Sequence, residues 1–225
     1  MTKKIAFLFP GQGSQSVGML DSFKSNPSTA SLFATAAQEA EQALGQNLAD
    51  LIEQGPSESL NLTTNTQPAM LMADVLVMRA WLAAGGAMPN LLAGHSLGEY
   101  AALVASGVFS LSEGLGLVRI RAQAMQEAVP VGQGGMAAIL GLSDEQVIQA
   151  CAQGSVNGEV AEAVNFNAPS QVVIAGSAQG VKTACEAAKA LGAKRALELP
   201  VSAPFHSSLM KPASVKLAAA LANAK

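Results

Sequence analysis

The chain has 225 residues, the size of one large domain or of a domain carrying a smaller insert. Thirteen Lys+Arg against 16 Asp+Glu leave a formal charge of −3, and only 13% of residues are charged where about 25% is usual. A hydrophobic share of 50% excludes a disordered chain, and the lack of a basic stripe argues against a nucleic-acid binder.

Alternating strand and helix patterns predict an α/β architecture. Residues 5–9 form a short apolar run closed by Pro10-Gly11, as in a buried parallel strand. A helix is expected from Asn26-Pro27, with Asn as cap, to Gly45, because Leu32, Phe33, Ala36, Ala40 and Leu44 recur at helical spacing. Another follows Thr66 and stops at Gly85-Gly86. Its apolar run, residues 70–84, is broken by Asp74 and Arg79 and falls short of the ~18 residues of a membrane helix. Residues 91–93 read as a strand and 97–106 as a helix. Ser110 with Glu113 is a capping box opening a helix to about Val129.

Composition then shifts to a flexible crossing segment containing Pro130, Gly132, Gly134 and Gly135. Beyond it come strand 136–140, helix 143–151 (Ser143 and Gln146 as a second capping box), strands 160–166 and 171–175, helix 177–191 and strand 194–199. That β-α-β-β-α-β order is the ferredoxin-like unit, inserted as residues 131–199 between body segments 1–130 and 200–225. Residues 207–224 return to a helical pattern. Cys151 and Cys185 sit in Ala-rich helical contexts without metal-ligand spacing, which reads as buried free thiols in a reducing cytoplasm; no metal site is expected. The apolar stretch after Met1-Thr-Lys-Lys is too short for a signal peptide.

Gly94-His95-Ser96-Leu97-Gly98 matches the nucleophile elbow G-x-S-x-G, between an apolar strand and a helix pattern. The elbow presents a serine hydroxyl at a helix N-terminus, where backbone N–H groups stabilise an oxyanion. A chance pentapeptide in a Gly- and Ser-rich chain is the competing reading, which the strand-elbow-helix context weighs against. The chain has two histidines. His95 adjoins Ser96 at a sharp turn where side chains diverge, so His206 is the better base, against a structural histidine at a helix start. The loop Gly11-Gln12-Gly13-Ser14-Gln15 lacks the third glycine of a dinucleotide fingerprint. A second oxyanion donor and a set of structural turn glycines both fit it. Arg121 has small or apolar neighbours at helical spacing and faces inward, whereas Arg119 faces mostly outward. A buried guanidinium needs an anion, and a protein carboxylate and a ligand carboxylate are equal readings here. Asn165 and Asn167 end a strand, as turn residues or as part of a cleft lining.

Taken together, Phe9-Pro-Gly-Gln-Gly-Ser-Gln15, Gly94-His-Ser-Leu-Gly-Glu-Tyr100, Arg121 with Met125-Gln-Glu-Ala-Val-Pro130, Val164-Asn-Phe-Asn-Ala-Pro169, and His206 with Leu209-Met-Lys-Pro212 resemble the malonyl-CoA:acyl carrier protein transacylases. The resemblance implies an α/β-hydrolase-like parallel-sheet body with a ferredoxin-like insert. It also implies a ping-pong transfer in fatty acid biosynthesis. Ser96, activated by His206, takes malonyl from malonyl-CoA, and the thiol of holo acyl carrier protein then takes it from Ser96. Gln12 and Leu97 form the oxyanion hole, Arg121 pairs with the malonyl carboxylate, and Phe205 beside His206 disfavours a branched extender. No cofactor is bound permanently. The enzyme is expected to be a cytoplasmic monomer, with no nucleic-acid or membrane partner. Family members continue past this chain with further strands and a Gln carbonyl that orients the catalytic His, so the chain reads as lacking that part. An acyl-thioester hydrolase and an inactive carrier-protein docking module are the alternative functions.

Overall fold

In a computed structural model the described residues are 4–201 and 203–224. Met1, Thr2 and Lys3 of the expected start, together with Ser202 and Lys225, lie outside the described residues. The chain has an α/β fold and divides into two compact units. One reaches Gln123 and takes in the stretch from Ala219; the other is Ala124–Ala218.

The first unit holds β1 (Ala6–Phe9), α1 (Asp21–Ser25), α2 (Ala30–Leu44), α3 (Leu48–Gln54), α4 (Ser57–Leu60), α5 (Thr63–Ala83), β2 (Leu91–Gly94), α6 (Gly98–Ala105) and most of α7 (Leu111–Glu127). β1 and β2 pair in parallel, from Ala6 opposite Leu91 to Phe9 opposite Gly94. Both strands thus end side by side, and in parallel α/β sheets ligands bind beyond the carboxyl ends of the strands. Contrary to the buried strand that the apolar run of β1 predicts, the pair is not buried on both faces. Phe7, Phe9 and Leu92 pack into the core of this unit, while Leu8 and Leu91 remain exposed. With side chains alternating along each strand, the helices of this unit cover one face, and that face takes the aromatic side chains.

Asn26 does not open α2, contrary to expectation. Its backbone N–H closes α1 on Ser22, and its side chain accepts from the Ser28 N–H in a local turn that delays the helix to Ala30. Segments α1, α3 and α4 are too short to show a helical period in sequence. Of these, α3 still carries a legible cap, Asn47 accepting from the Asp50 N–H at 3.0 Å. The Ser110–Glu113 box forms reciprocally at the start of α7.

Helix α5 begins four residues earlier than the pattern predicts and is buried almost all round from Thr63 to Met78, as a central helix should be. Asp74 lies in this stretch at 6% exposure, with Oδ2 lacking any hydrogen-bond partner among the described residues. Burial pushes its carboxyl up to about 7. Between the ordinary carboxylate range and pH 7 the folded chain keeps a proton that the unfolded chain has released, so stability falls as pH rises through that window. Asp74→Asn removes this slope. Its stability relative to the parent should rise by on the order of 4 kcal/mol between pH 4 and pH 8 in urea titrations, and an unchanged difference refutes the assignment.

The second unit holds β3 (Gly134–Leu140), α8 (Asp144–Gly154), β4 (Ala161–Ala168), β5 (Gln171–Ser177), α9 (Ala178–Ala190), β6 (Arg195–Glu198), a 3-10 turn Ser208–Met210 and most of α10 (Lys211–Ala222). Its antiparallel sheet runs β4-β5-β3-β6. Alternation divides the sheet between two cores. Ala137, Ile139, Val172 and Ile174 face the core formed with α8 and α9, whereas Met136, Val173 and Ala175 join Phe205, Met210 and Ala213. The Ser143–Gln146 capping box starts α8. The glycine-rich crossing ends earlier than expected, because Gly134 and Gly135 belong to β3. A Cβ on Gly134 would overlap the Pro204 ring, so the glycine permits that approach. Cys151 and Cys185 are free and buried in the first of the two cores, and burial pushes the Cys151 thiol up to about 12. Among the described residues, no helix is long and apolar enough to cross a membrane.

Candidate active site

The parallel pairing of β1 and β2 brings two loops together. The His95 N–H donates to the Phe9 carbonyl at 2.9 Å, which ties the start of the β2–α6 turn to the end of β1. Ser96 occupies the turn with φ 53, the left-handed region that a residue with a Cβ seldom adopts. The chain then enters α6 through Leu97, which is fully buried, and the Gly98 N–H closes on the His95 carbonyl at 2.9 Å. Two glycines make this bend possible. A Cβ on Gly94 would overlap the backbone of Gly98 and Glu99, and one on Gly98 would overlap the carbonyls of Phe9 and Pro10.

Gln12 sits in the loop after β1, half-buried. The loop is pinned from both sides: the Gly13 N–H donates to Gln15 Oε1 at 2.8 Å, and Gln15 Nε2 donates to Asn61 Oδ1 at 2.7 Å. Thr63 Oγ1, on the first turn of α5, donates to Gln12 Oε1 at 2.9 Å.

Arg121 points inward from α7 at 9% exposure, as its spacing predicts. Its Nη2 donates to Ser96 Oγ at 3.0 Å and its Nη1 to Gln67 Oε1 at 2.6 Å, while the guanidinium lies 5.8 Å from the Tyr100 ring centroid. Among the described residues no carboxylate is within ion-pair distance of it. Burial lowers its pKa, and Tyr100 and Glu99 oppose that shift. Arg119 does not lie mostly outward. It is half-buried, donates to Gln46 Oε1 and keeps a buried Nε with no partner among the described residues, because α2 and α3 lead Gln46 over this part of α7.

His206 and Phe205 belong to the second unit. Phe205 is buried in the core shared with β5 and α10. His206, with φ 68, is exposed just before the 3-10 turn. The loop is braced locally: Ser207 Oγ donates to the Pro204 carbonyl at 2.7 Å, and the Ser208 N–H donates to Glu162 Oε2 at 2.6 Å. Asn165 and Asn167 do not end β4. They lie within it, where two register shifts against β5, between Ala163 and Asn165 and between Phe166 and Ala168, break the regular pairing.

The first unit thus assembles Gln12, Ser96, Leu97 and Arg121, and the second carries Asn165, Asn167, Phe205 and His206. Thr63, Gln67 and Tyr100 were not legible as site residues. Thr63 and Gln67 stand among the polar residues Thr64, Asn65 and Thr66, so their spacing of four on one helix face did not single them out.

Residues 6–225 match the model of the acyl transferase domain family. The malonyl CoA-acyl carrier protein transacylase of Salmonella typhimurium is 54% identical over 220 residues, spanning 97% of this chain and 70% of that protein. A crystal structure of an acyl-carrier-protein S-malonyltransferase from Burkholderia pseudomallei is 60% identical, with a TM-score of 0.94 over 99% of this chain and 71% of that one. A type II PKS acyl-carrier protein in complex with its malonyl-transacylase gives 48% identity and a TM-score of 0.94, over 99% of this chain and 71% of that one. With a family model matched over nearly the whole chain and relatives more than half identical to it, the chain belongs to the acyl transferase domain family, among the malonyl CoA-acyl carrier protein transacylases.

Proposed function

We propose that this chain transfers a malonyl group from malonyl-CoA to the phosphopantetheine thiol of an acyl carrier protein, in fatty acid synthesis, through an ester on Ser96. The observation that carries this reading is Arg121, a buried cation hydrogen-bonded to the Ser96 hydroxyl with no carboxylate at ion-pair distance among the described residues. A desolvated guanidinium is costly unless an anion meets it, and malonyl brings a free carboxylate to the acyl centre.

In the first half-reaction Ser96 Oγ attacks the thioester carbonyl while His206 accepts its proton. The backbone N–H groups of Gln12 and Leu97 receive the developing oxyanion. The C–S bond breaks, and the coenzyme A sulfur leaves with the proton from His206. The carrier-protein thiol reverses these steps: it attacks the ester, and Ser96 Oγ recovers its proton. Phe205 disfavours branched extenders, and Asn165 and Asn167 line the substrate cleft. The β-α-β-β-α-β order and the β4-β5-β3-β6 sheet support a ferredoxin-like insert, residues 131–199, in an α/β-hydrolase-like body.

The test is acyl labelling from radiolabelled malonyl-CoA, which should saturate at about one malonyl per chain on Ser96. Arg121→Ala should slow malonyl acylation about ten- to hundredfold more than acetyl acylation, the worth of one charge-assisted hydrogen bond of about 1.5–3 kcal/mol to the malonyl carboxylate. Equal losses for both acyl groups, or malonyl-CoA hydrolysis with no stable label, defeat the reading.

A further inference from the structure

Four polar side chains of the first unit form one continuous hydrogen-bonded line. Arg121 Nη1 donates to Gln67 Oε1 at 2.6 Å, Gln67 Nε2 donates to Thr63 Oγ1 at 3.0 Å, and Thr63 Oγ1 donates to Gln12 Oε1 at 2.9 Å. The same guanidinium donates through Nη2 to Ser96 Oγ. Thr63 and Gln67 are fully buried, on the first two turns of α5, and their spacing of four residues stacks them on one helix face.

The direction of this line is determined by its first member. A guanidinium has only donors, so Gln67 must present its oxygen to Arg121 and its NH₂ to Thr63. The Thr63 hydroxyl, accepting from Gln67, then has its proton free for Gln12 Oε1. Each link polarises the next in the same sense, and the Arg121–Gln67 and Gln67–Thr63 links are buried. Two parts of the site separated by more than a hundred residues of sequence are joined in this way: the cation held on Ser96, and the loop that carries the Gln12 backbone N–H.

We propose that Thr63 is a positioning residue for the acylation step. Its hydroxyl transmits the orientation imposed by Arg121 through Gln67 to the Gln12 side chain, and so holds the Gln12 backbone N–H where the oxyanion forms. The inference rests on the malonyl-transfer reading above. It separates the two ends of the line: Thr63 acts only on the oxyanion side, common to every acyl group, whereas Arg121 adds the contact to the carboxylate that is specific to malonyl. Thr63 contacts no substrate itself.

The experiment compares Thr63→Val, which keeps the shape but loses the hydroxyl, with Thr63→Ser, which keeps the hydroxyl. Rapid-quench labelling from malonyl-CoA and from acetyl-CoA is followed with thermal unfolding of each variant. Thr63→Val should acylate about tenfold more slowly with both donors, as the loss of one buried hydrogen bond predicts. The half-saturating donor concentration should stay unchanged, and the same final label should be reached. Thr63→Ser should recover the parent rate. A parent-like rate in Thr63→Val overturns the inference, as does Thr63→Ser being as slow as Thr63→Val, since packing would then be the cause. A slowing confined to malonyl-CoA also overturns it. A parent chain that takes no label overturns the malonyl-transfer reading and this inference with it.

Discussion

Ser96→Ala is expected to take no acyl label from malonyl-CoA while unfolding at close to the parent temperature. The loss is complete because Oγ is the atom to be acylated; in serine enzymes removal of the nucleophile costs about as much as removal of the whole catalytic unit. The fold should survive because the bend is made by its neighbours. Gly94 and Gly98 permit the approach to β1 and the His95 N–H ties the turn to Phe9, none of which involves the serine side chain. Ala keeps the Cβ that already tolerates φ 53. The variant gives up the hydrogen bond from Arg121 Nη2, worth about 1.5–3 kcal/mol where the donor is charged. Arg121 retains Gln67 and the Tyr100 face. Mass spectrometry of the variant after incubation decides the point: malonylation at the parent rate means that another residue is the nucleophile.

The largest expected effect on stability comes from Gly94→Ala. Its new Cβ would enter the backbone of Gly98 and Glu99, atoms that have no rotamer to escape into. Relief requires moving the start of α6 away from β2, which would unmake the Gly98 N–H to His95 carbonyl bond and displace buried Leu97. Overpacking with no flexible neighbour belongs with the rare substitutions that cost more than about 4 kcal/mol, enough to unfold many domains. Gly116→Ala is the matched control. It lies inside α7 with nothing near the position of a Cβ, so alanine should stabilise the chain by about 0.5–1 kcal/mol through helix propensity. Urea titration of both variants tests the pair, and a Gly94→Ala chain with parent stability would mean that the bend is looser than its geometry indicates.

Sequence alone determined the alternation of strands and helices, both capping boxes, the elbow around Ser96 and the inward face of Arg121. Each of these is a local property: a period, a cap spacing of three residues, or a glycine needed for one turn. Local signals failed where a competing local interaction or a longer-range contact intervened. Asn26 fits a helix cap by sequence but holds Ser28, and Arg119 faces mostly outward by spacing but meets Gln46 from the connection between α2 and α3.

Tertiary structure alone decided what Arg121 meets. Its spacing on α7 left a protein carboxylate and a ligand carboxylate equally placed, because helical periodicity shows which way a side chain points and not what awaits it. Packing of α5 against α7 set an amide, Gln67, before one guanidinium nitrogen, while the elbow set the Ser96 hydroxyl before the other. The same packing brought Thr63 onto Gln12, 51 residues away in sequence. Such contacts depend on how helices and strands stack once their apolar faces are buried, and no window along the chain contains that information.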